Sequence, residues 1–160
     1  MAHLDIRVPV RWDDLDAYGH VNNAAVLTLL EEARIAAFWE APADQRALGA
    51  PEVALPLGAM GAGAEVSTFI ASCRVEYKRP IGHRRDGVVV RLWISRVGGA
   101  SLDVDYQILA ADDPSAAAPL VLARTTVVLV EAATGTPTRI PAEVRAELEG
   151  AAGEPLAFRG

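Results

Sequence analysis

One long helical pattern followed by four strand patterns in a row constrains the fold more than any other feature of this chain. Residues 22–40, "NNAAVLTLLEEARIAAFWE", space Val26, Leu29, Leu30, Ala33 and Ala37 at helical intervals, with no Gly or Pro among them. Asparagine is available as N-cap where the pattern begins. From Glu65 onward "EVSTFIASCRVEYKRP", "DGVVVRLWISRV", "SLDVDYQILAA" and "APLVLARTTVVLVEA" read as strands, separated by "IGHRR", "GGA" and "DDPSAA". Val88, Val90, Leu92 and Ile94 alternate with their neighbours, and Gly98-Gly99 is a tight-turn signal. Consecutive strands of this kind predict an antiparallel meander.

A short strand precedes the helix. Ile6, Val8 and Val10 alternate with Arg7 and Arg11 around Pro9, and a proline that cannot donate to a ladder favours a sheet edge. One helix and five or so strands make an α+β arrangement in which the sheet buries one face on the helix's apolar stripe. Residues 41–64, rich in Ala, Gly and Pro, read as a surface connection with at most a short helix; a cover over a pocket is the alternative. Near the end, "IPAEVRAELEG" predicts a short helix entered through Pro141. The expected organisation is a single domain over 1–145 and a loosely held tail over 146–160.

At 160 residues with 51% apolar content, the chain has enough material for one core and no room for a second domain. A net charge of −6 argues against general nucleic-acid binding, which needs a basic face to displace counterions. No apolar run reaches the roughly 18 residues of a membrane helix, and "MAHLDIRVPV" lacks a secretory pattern, so the expected location is cytoplasmic. The single cysteine, Cys73, cannot form an internal disulfide and reads as a small apolar strand residue. With three scattered histidines it offers no metal-ligand spacing.

The chemistry is concentrated in residues 11–23, "RWDDLDAYGHVNN", where three carboxylates, a histidine and two asparagines crowd the entrance to the helix. Spacing alone assigns these residues to turns and capping. "WDDLDAYGHVNN" followed by "AAVLTLLEEAR", however, strongly resembles the start of hotdog-fold thioesterases of the 4-hydroxybenzoyl-CoA and acyl-CoA thioesterase type, and "HVNN" also resembles acyl-ACP thioesterases. "VEYKRP", "GGAS" and "TGTPTRIP" are weaker matches that follow in the family's order. The resemblance implies a long central helix wrapped by a curved antiparallel sheet, and a homodimer or homotetramer whose sheets join edge to edge. It also implies an acyl-CoA substrate at the helix N-terminus, with coenzyme A entering only as part of that substrate and no other cofactor or metal.

Through the motif, Asp16 takes the place of the family's catalytic carboxylate, either attacking the thioester or activating a water. Helix N-termini present N–H groups without internal partners, so the backbone around Val21, Asn22 and Asn23 is the expected oxyanion site, with Asn23 the best single donor. His20 is the expected supporting residue, a structural histidine being the alternative, and Gly19 belongs to the substrate-binding stretch. Asp13 and Asp14 lack motif support and read as solvated or structural. Tyr18 stands where the acyl-ACP branch has an asparagine, which favours a CoA substrate. Glu31 and Arg34 are spaced to pair on one helix face, with Glu31 and Glu32 as reserve catalytic candidates.

Lys78, Arg79, Arg84 and Arg85, with His83, gather at one strand end and turn of an otherwise acidic chain. Guanidinium forks suit the phosphates of coenzyme A, which makes this the expected nucleotide subsite, with a solvated charge run as the alternative. The functional expectation is hydrolysis of an acyl-CoA to free acid and CoA. A non-catalytic acyl-CoA-binding module and an acyl-ACP thioesterase are the alternatives, and a hydratase ranks below them.

Overall fold

The computed structural model describes residues 3–38, 64–115 and 118–159. The connection expected at 41–64 therefore lies, except for Ala64, outside the described residues. Strand β1 (Leu4–Val8) leads into the polar loop and helix α1 (Asn23–Phe38). Strands β2 (Val66–Tyr77), β3 (Val88–Val97), β4 (Ser101–Ala110) and β5 (Val121–Glu131) follow, and α2 (Ala142–Ala151) comes last.

All five strands join one antiparallel sheet in the order β1-β3-β4-β5-β2. The meander expectation therefore holds for β3, β4 and β5 only: β2 pairs with β5 instead of β3 and forms an edge. Alternation in a sequence says which side chains share a face, not which strand lies next door. The segment after Tyr77 must cross the end of the sheet to start β3. Gly87 closes that crossing at φ +72°, and a Cβ there would run into the Val8 carbonyl oxygen. β1 ends just before Pro9 and occupies the other edge.

The α1 stripe of Val26, Leu29, Leu30, Ala33 and Ala37 is buried, and the helix packs chiefly over β1 and β3. This leaves the β2 side of the inner face open: Ile70 and Tyr77 are exposed there, and so is Cys73. β4 is buried on both faces, because its outer face is covered as well. Past α2 the chain crosses that outer face in extended form. Gly153 N–H donates to Ile94 C=O at 2.8 Å, Trp93 Nε1 to Glu154 C=O at 2.9 Å, Leu156 N–H to Asp105 Oδ2 at 2.6 Å and Arg159 N–H to Glu76 Oε1 at 2.6 Å. Phe158 lies under the guanidinium groups of Arg74 and Arg124. The segment expected to be loosely held thus has partners on β2, β3, β4 and β5.

Candidate active site

The loop between β1 and α1 is built on Asp14. This carboxylate is buried, and it accepts Arg11 N–H at 2.7 Å and Arg11 Nη2 at 2.7 Å. The Arg11 hydrogen bond holds its pKa below the ordinary carboxylate range, against the opposing effect of burial. Asp14 C=O in turn accepts Asn22 N–H at 2.8 Å, so the same residue fixes the loop to the helix start. Asp14 is therefore structural.

Asp16 opens a tight turn. Its N–H donates to His20 C=O at 2.8 Å, and its C=O accepts Gly19 N–H at 3.0 Å, with Gly19 at φ +73°. Its Oδ1 accepts Tyr18 N–H at 2.8 Å and His20 N–H at 3.1 Å, while Oδ2 has no hydrogen-bond partner among the described residues. Half of the carboxylate thus holds the turn and half is free. His20 faces Gly82 in an isolated bridge, Val21 N–H donates to Ile81 C=O at 2.7 Å, and the His20 ring has no hydrogen bond among the described residues.

Asn22 caps α1 through its side-chain oxygen, which accepts Ala24 N–H at 2.8 Å. Of the three backbone donors expected at the helix start, Val21 N–H serves Ile81 and Asn22 N–H serves Asp14. Asn23 N–H has no acceptor among the described residues. The Asn23 C=O accepts the Tyr77 hydroxyl at 3.2 Å, tying the first helical residue to the end of β2.

Beside this helix start lies a pocket of about 280 Å³ lined by Val21, Val26, Tyr77, Lys78, Arg79, Pro80 and Ile81. Of the residues expected from sequence, Val21, Lys78 and Arg79 line it; Asp16, Gly19, His20, Asn22 and Asn23 form the adjoining turn and cap. Tyr77 is the functional candidate that residue spacing missed. Its only sequence signal is its place at the strand end in "VEYKRP".

The expected phosphate cluster is largely committed elsewhere. Lys78 Nζ pairs with Glu76 Oε2 at 2.6 Å, which holds the Glu76 pKa below its ordinary range. Arg84 pairs with Asp112 at 2.8 Å, and Arg79 donates to Ala118 C=O. Arg85 alone of the four has no partner among the described residues and is exposed. On the helix, Arg34 lies 3.5 Å from Glu31 and donates to the buried Tyr106 hydroxyl at 3.5 Å. Among the described residues no group of three His, Cys, Asp or Glu side chains could hold a metal, and no helix is long and apolar enough to cross a membrane.

A half-free carboxylate next to a helix N-terminus with an open N–H suits attack on a carbonyl whose oxygen gains negative charge. The five-stranded antiparallel sheet with its helices matches the hotdog fold of solved thioesterases. Residues 10–148 match the model of the thioesterase-like superfamily, and the chain belongs to that family. It is similar to a thioesterase from Thermus thermophilus solved in complex with coenzyme A and Zn, at 29% identity over 95% of this chain and 96% of that one, with a TM-score of 0.66. The PA2801 protein of Pseudomonas aeruginosa is 27% identical over 89% of this chain and 95% of its own, with a TM-score of 0.67. The DHNA-CoA thioesterase of Staphylococcus aureus, 16% identical over 94% of this chain and 93% of its own, shares the fold at a TM-score of 0.70. No curated protein matches the sequence.

Proposed function

We propose that this protein hydrolyses acyl-CoA thioesters in the cytoplasm to the free acid and CoA. One observation carries the reading: among the described residues nothing engages Asp16 Oδ2 while its Oδ1 is locked in the turn, and nothing accepts the Asn23 N–H at the adjoining helix start. Asp16 takes a proton from a water, the hydroxide adds to the thioester carbon, and Asn23 N–H stabilises the oxyanion. Collapse breaks the C–S bond, and the thiolate takes the proton back from Asp16, directly or through His20. In the nucleophilic variant Asp16 forms a mixed anhydride that water then opens, with the same products. No metal or redox cofactor enters either route.

Two further points complete the reading. The apolar walls from Val21, Val26 and Ile81 suit the acyl part, and the pocket's open side suits a thiol carrier. Among the described residues β2 is an edge strand, exposed along its middle, with Phe69 at 58% and Ile70 at 45% exposure, and an edge of this kind favours pairing with a second copy. A homodimer formed there, alone or within a homotetramer, would bring a second subunit against the pocket through Tyr77.

The test is thiol release from short-chain, long-chain and aromatic acyl-CoAs by wild type and Asp16→Ala, after both are shown to fold. Turnover in the variant is expected to fall by roughly 10²- to 10⁴-fold. Near-normal turnover would remove Asp16 from the mechanism. Binding without hydrolysis by wild type across the panel would favour a non-catalytic acyl-CoA module, and hydrolysis of acyl-ACP alone would move the substrate to a carrier protein.

A further inference from the structure

Trp12 and His83 stack face to face, ring centroids 4.0 Å apart and planes 9° from parallel, yet Trp12 remains 75% exposed. One face of the indole is covered by the imidazole and the rest is offered to solvent. Leaving so large an apolar ring in water is unfavourable unless something covers it.

Each ring is carried by a segment that runs on to the candidate site. Trp12 begins the short 3-10 turn that Arg11 and Asp14 clamp, and its C=O accepts Leu15 N–H at 3.2 Å, one residue before Asp16. His83 follows Gly82, which faces His20, and lies two residues beyond Ile81, a pocket wall that also holds Val21 N–H. At no more than about 3.6 Å per residue, His83 lies within roughly 7 Å of Ile81 along the chain. Past His83, Arg84 is taken by Asp112, whereas Arg85 is exposed and unpaired among the described residues.

We propose that the Trp12–His83 stack is the platform on which the adenine of coenzyme A stacks, with Arg85 positioned for a nucleotide phosphate. The proposal rests on the acyl-CoA reading and deepens it. Three of the four cations in the expected phosphate cluster are engaged, so nucleotide recognition needs a contribution that does not depend on them. Every nucleobase presents a π-face, and an open indole backed by a second ring is a fitting surface for one. A long flexible pantetheine arm separates the adenine from the thioester, so the platform need only lie beyond the pocket. It would contribute nothing to a pantetheine arm carried on a protein.

The test measures equilibrium binding of coenzyme A and of adenosine 3′,5′-bisphosphate to wild type, Trp12→Ala, Trp12→Phe and His83→Ala by calorimetry, alongside KM for an acyl-CoA and for the same acyl group on pantetheine. Trp12→Ala is expected to weaken coenzyme A and the bisphosphate tenfold or more, Trp12→Phe to retain most of the affinity, and His83→Ala to lose part of it. KM for acyl-CoA should rise to match while KM for acyl-pantetheine and both kcat values stay within about twofold. Unchanged coenzyme A affinity in folded Trp12→Ala or, if that variant does not fold, in His83→Ala, overturns the proposal. Equal loss on the CoA and pantetheine substrates also overturns it, because it would make Trp12 merely structural, as does failure of wild type to bind either nucleotide. Loss of coenzyme A affinity in a protein whose wild type hydrolyses nothing would keep the platform and remove the hydrolase reading.

Discussion

The Tyr77 hydroxyl, at the end of the edge strand, donates across 3.2 Å to the carbonyl of Asn23, the first residue of α1 and one whose N–H has no acceptor among the described residues. In the proposed mechanism this contact joins strand and helix at the residue whose N–H would meet the charge developing on a bound carbonyl. Loss of a single hydrogen bond of this kind changes stability by about 0.5–1.5 kcal/mol. A misdirected oxyanion donor costs more in rate. Tyr77→Phe is therefore expected to lower kcat by roughly tenfold while the thermal midpoint moves only a few degrees. Steady-state kinetics beside a melting curve decides it: an unchanged kcat would reduce the contact to simple anchoring.

Asp14 and Asp16 stand two residues apart and should respond to mutation in opposite ways. Asp14 is buried on Arg11 and holds the loop, so Asp14→Asn is expected to lose about 1–3 kcal/mol of stability at pH 7. Its folded pKa is depressed by the Arg11 hydrogen bond, so its contribution is present above the unfolded value of about 3.9 and is lost as pH falls through the folded value. The stability gap between wild type and Asp14→Asn should accordingly be widest near neutrality, begin to narrow near about pH 4 and close as pH falls through the depressed folded value. Denaturant titrations stepped from pH 7 down through pH 4 and below follow the closing of the gap. A gap of constant size would mean that the charge on Asp14 contributes nothing.

Gly87 offers a backbone test of the crossing that brings Pro80 and Ile81 to the pocket. It sits at φ +72°, and a Cβ would meet the Val8 carbonyl oxygen, so Gly87→Ala carries both a conformational penalty and a clash with main chain. A loss of about 1–3 kcal/mol is expected in denaturant melts. Gly19→Ala, at φ +73° with open space around its Cβ position, should cost less. Equal effects at the two glycines would mean that the Val8 contact is relieved at little cost.

Much of the architecture was legible because it rests on periodicity. The apolar spacing from Val26 to Ala37 located α1, and alternation located the strands. Strand neighbours were not legible: the pairing of β2 with β5 depends on a crossing whose residues carry no apolar period. The motif singled out Asp16 and Asn23 as candidates and left Asp14 as solvated or structural; residue type could not choose between those two, because burial against Arg11 is a tertiary property. Nor could it foresee that Asp112 and Glu76 would occupy Arg84 and Lys78. The contacts of the C-terminal segment were the least visible, since most of its partners are met by its own backbone groups, which every sequence carries alike.

That segment supplies the last prediction. Asp105 is fully buried on the outer face, held by Arg124 at 2.6 and 2.7 Å and by Leu156 N–H at 2.6 Å. This C-terminal segment, a strap across the outer face, thus helps to solvate the buried carboxylate of a pair whose guanidinium is partly exposed. Removing Asp105 leaves the partly exposed Arg124 without its carboxylate and Leu156 N–H without its acceptor, a loss expected near about 3 kcal/mol, the lower end for breaking a buried pair. Deleting residues from Gly153 onward keeps the pair but withdraws the Leu156 donor and uncovers Trp93, whose indole N–H loses the Glu154 carbonyl. A hydrogen bond to a charged group is worth about 1.5–3 kcal/mol, so the deletion should lower the thermal midpoint by roughly 5 °C or more. Trp93 emission should shift to the red as the ring meets water. Asp105→Ala is expected to be the more damaging change, and in the truncated chain its further cost should be smaller, because the two variants remove the same Leu156 contact. A double-mutant cycle reads this coupling, and strict additivity would mean that the strap stabilises the sheet without acting through Asp105.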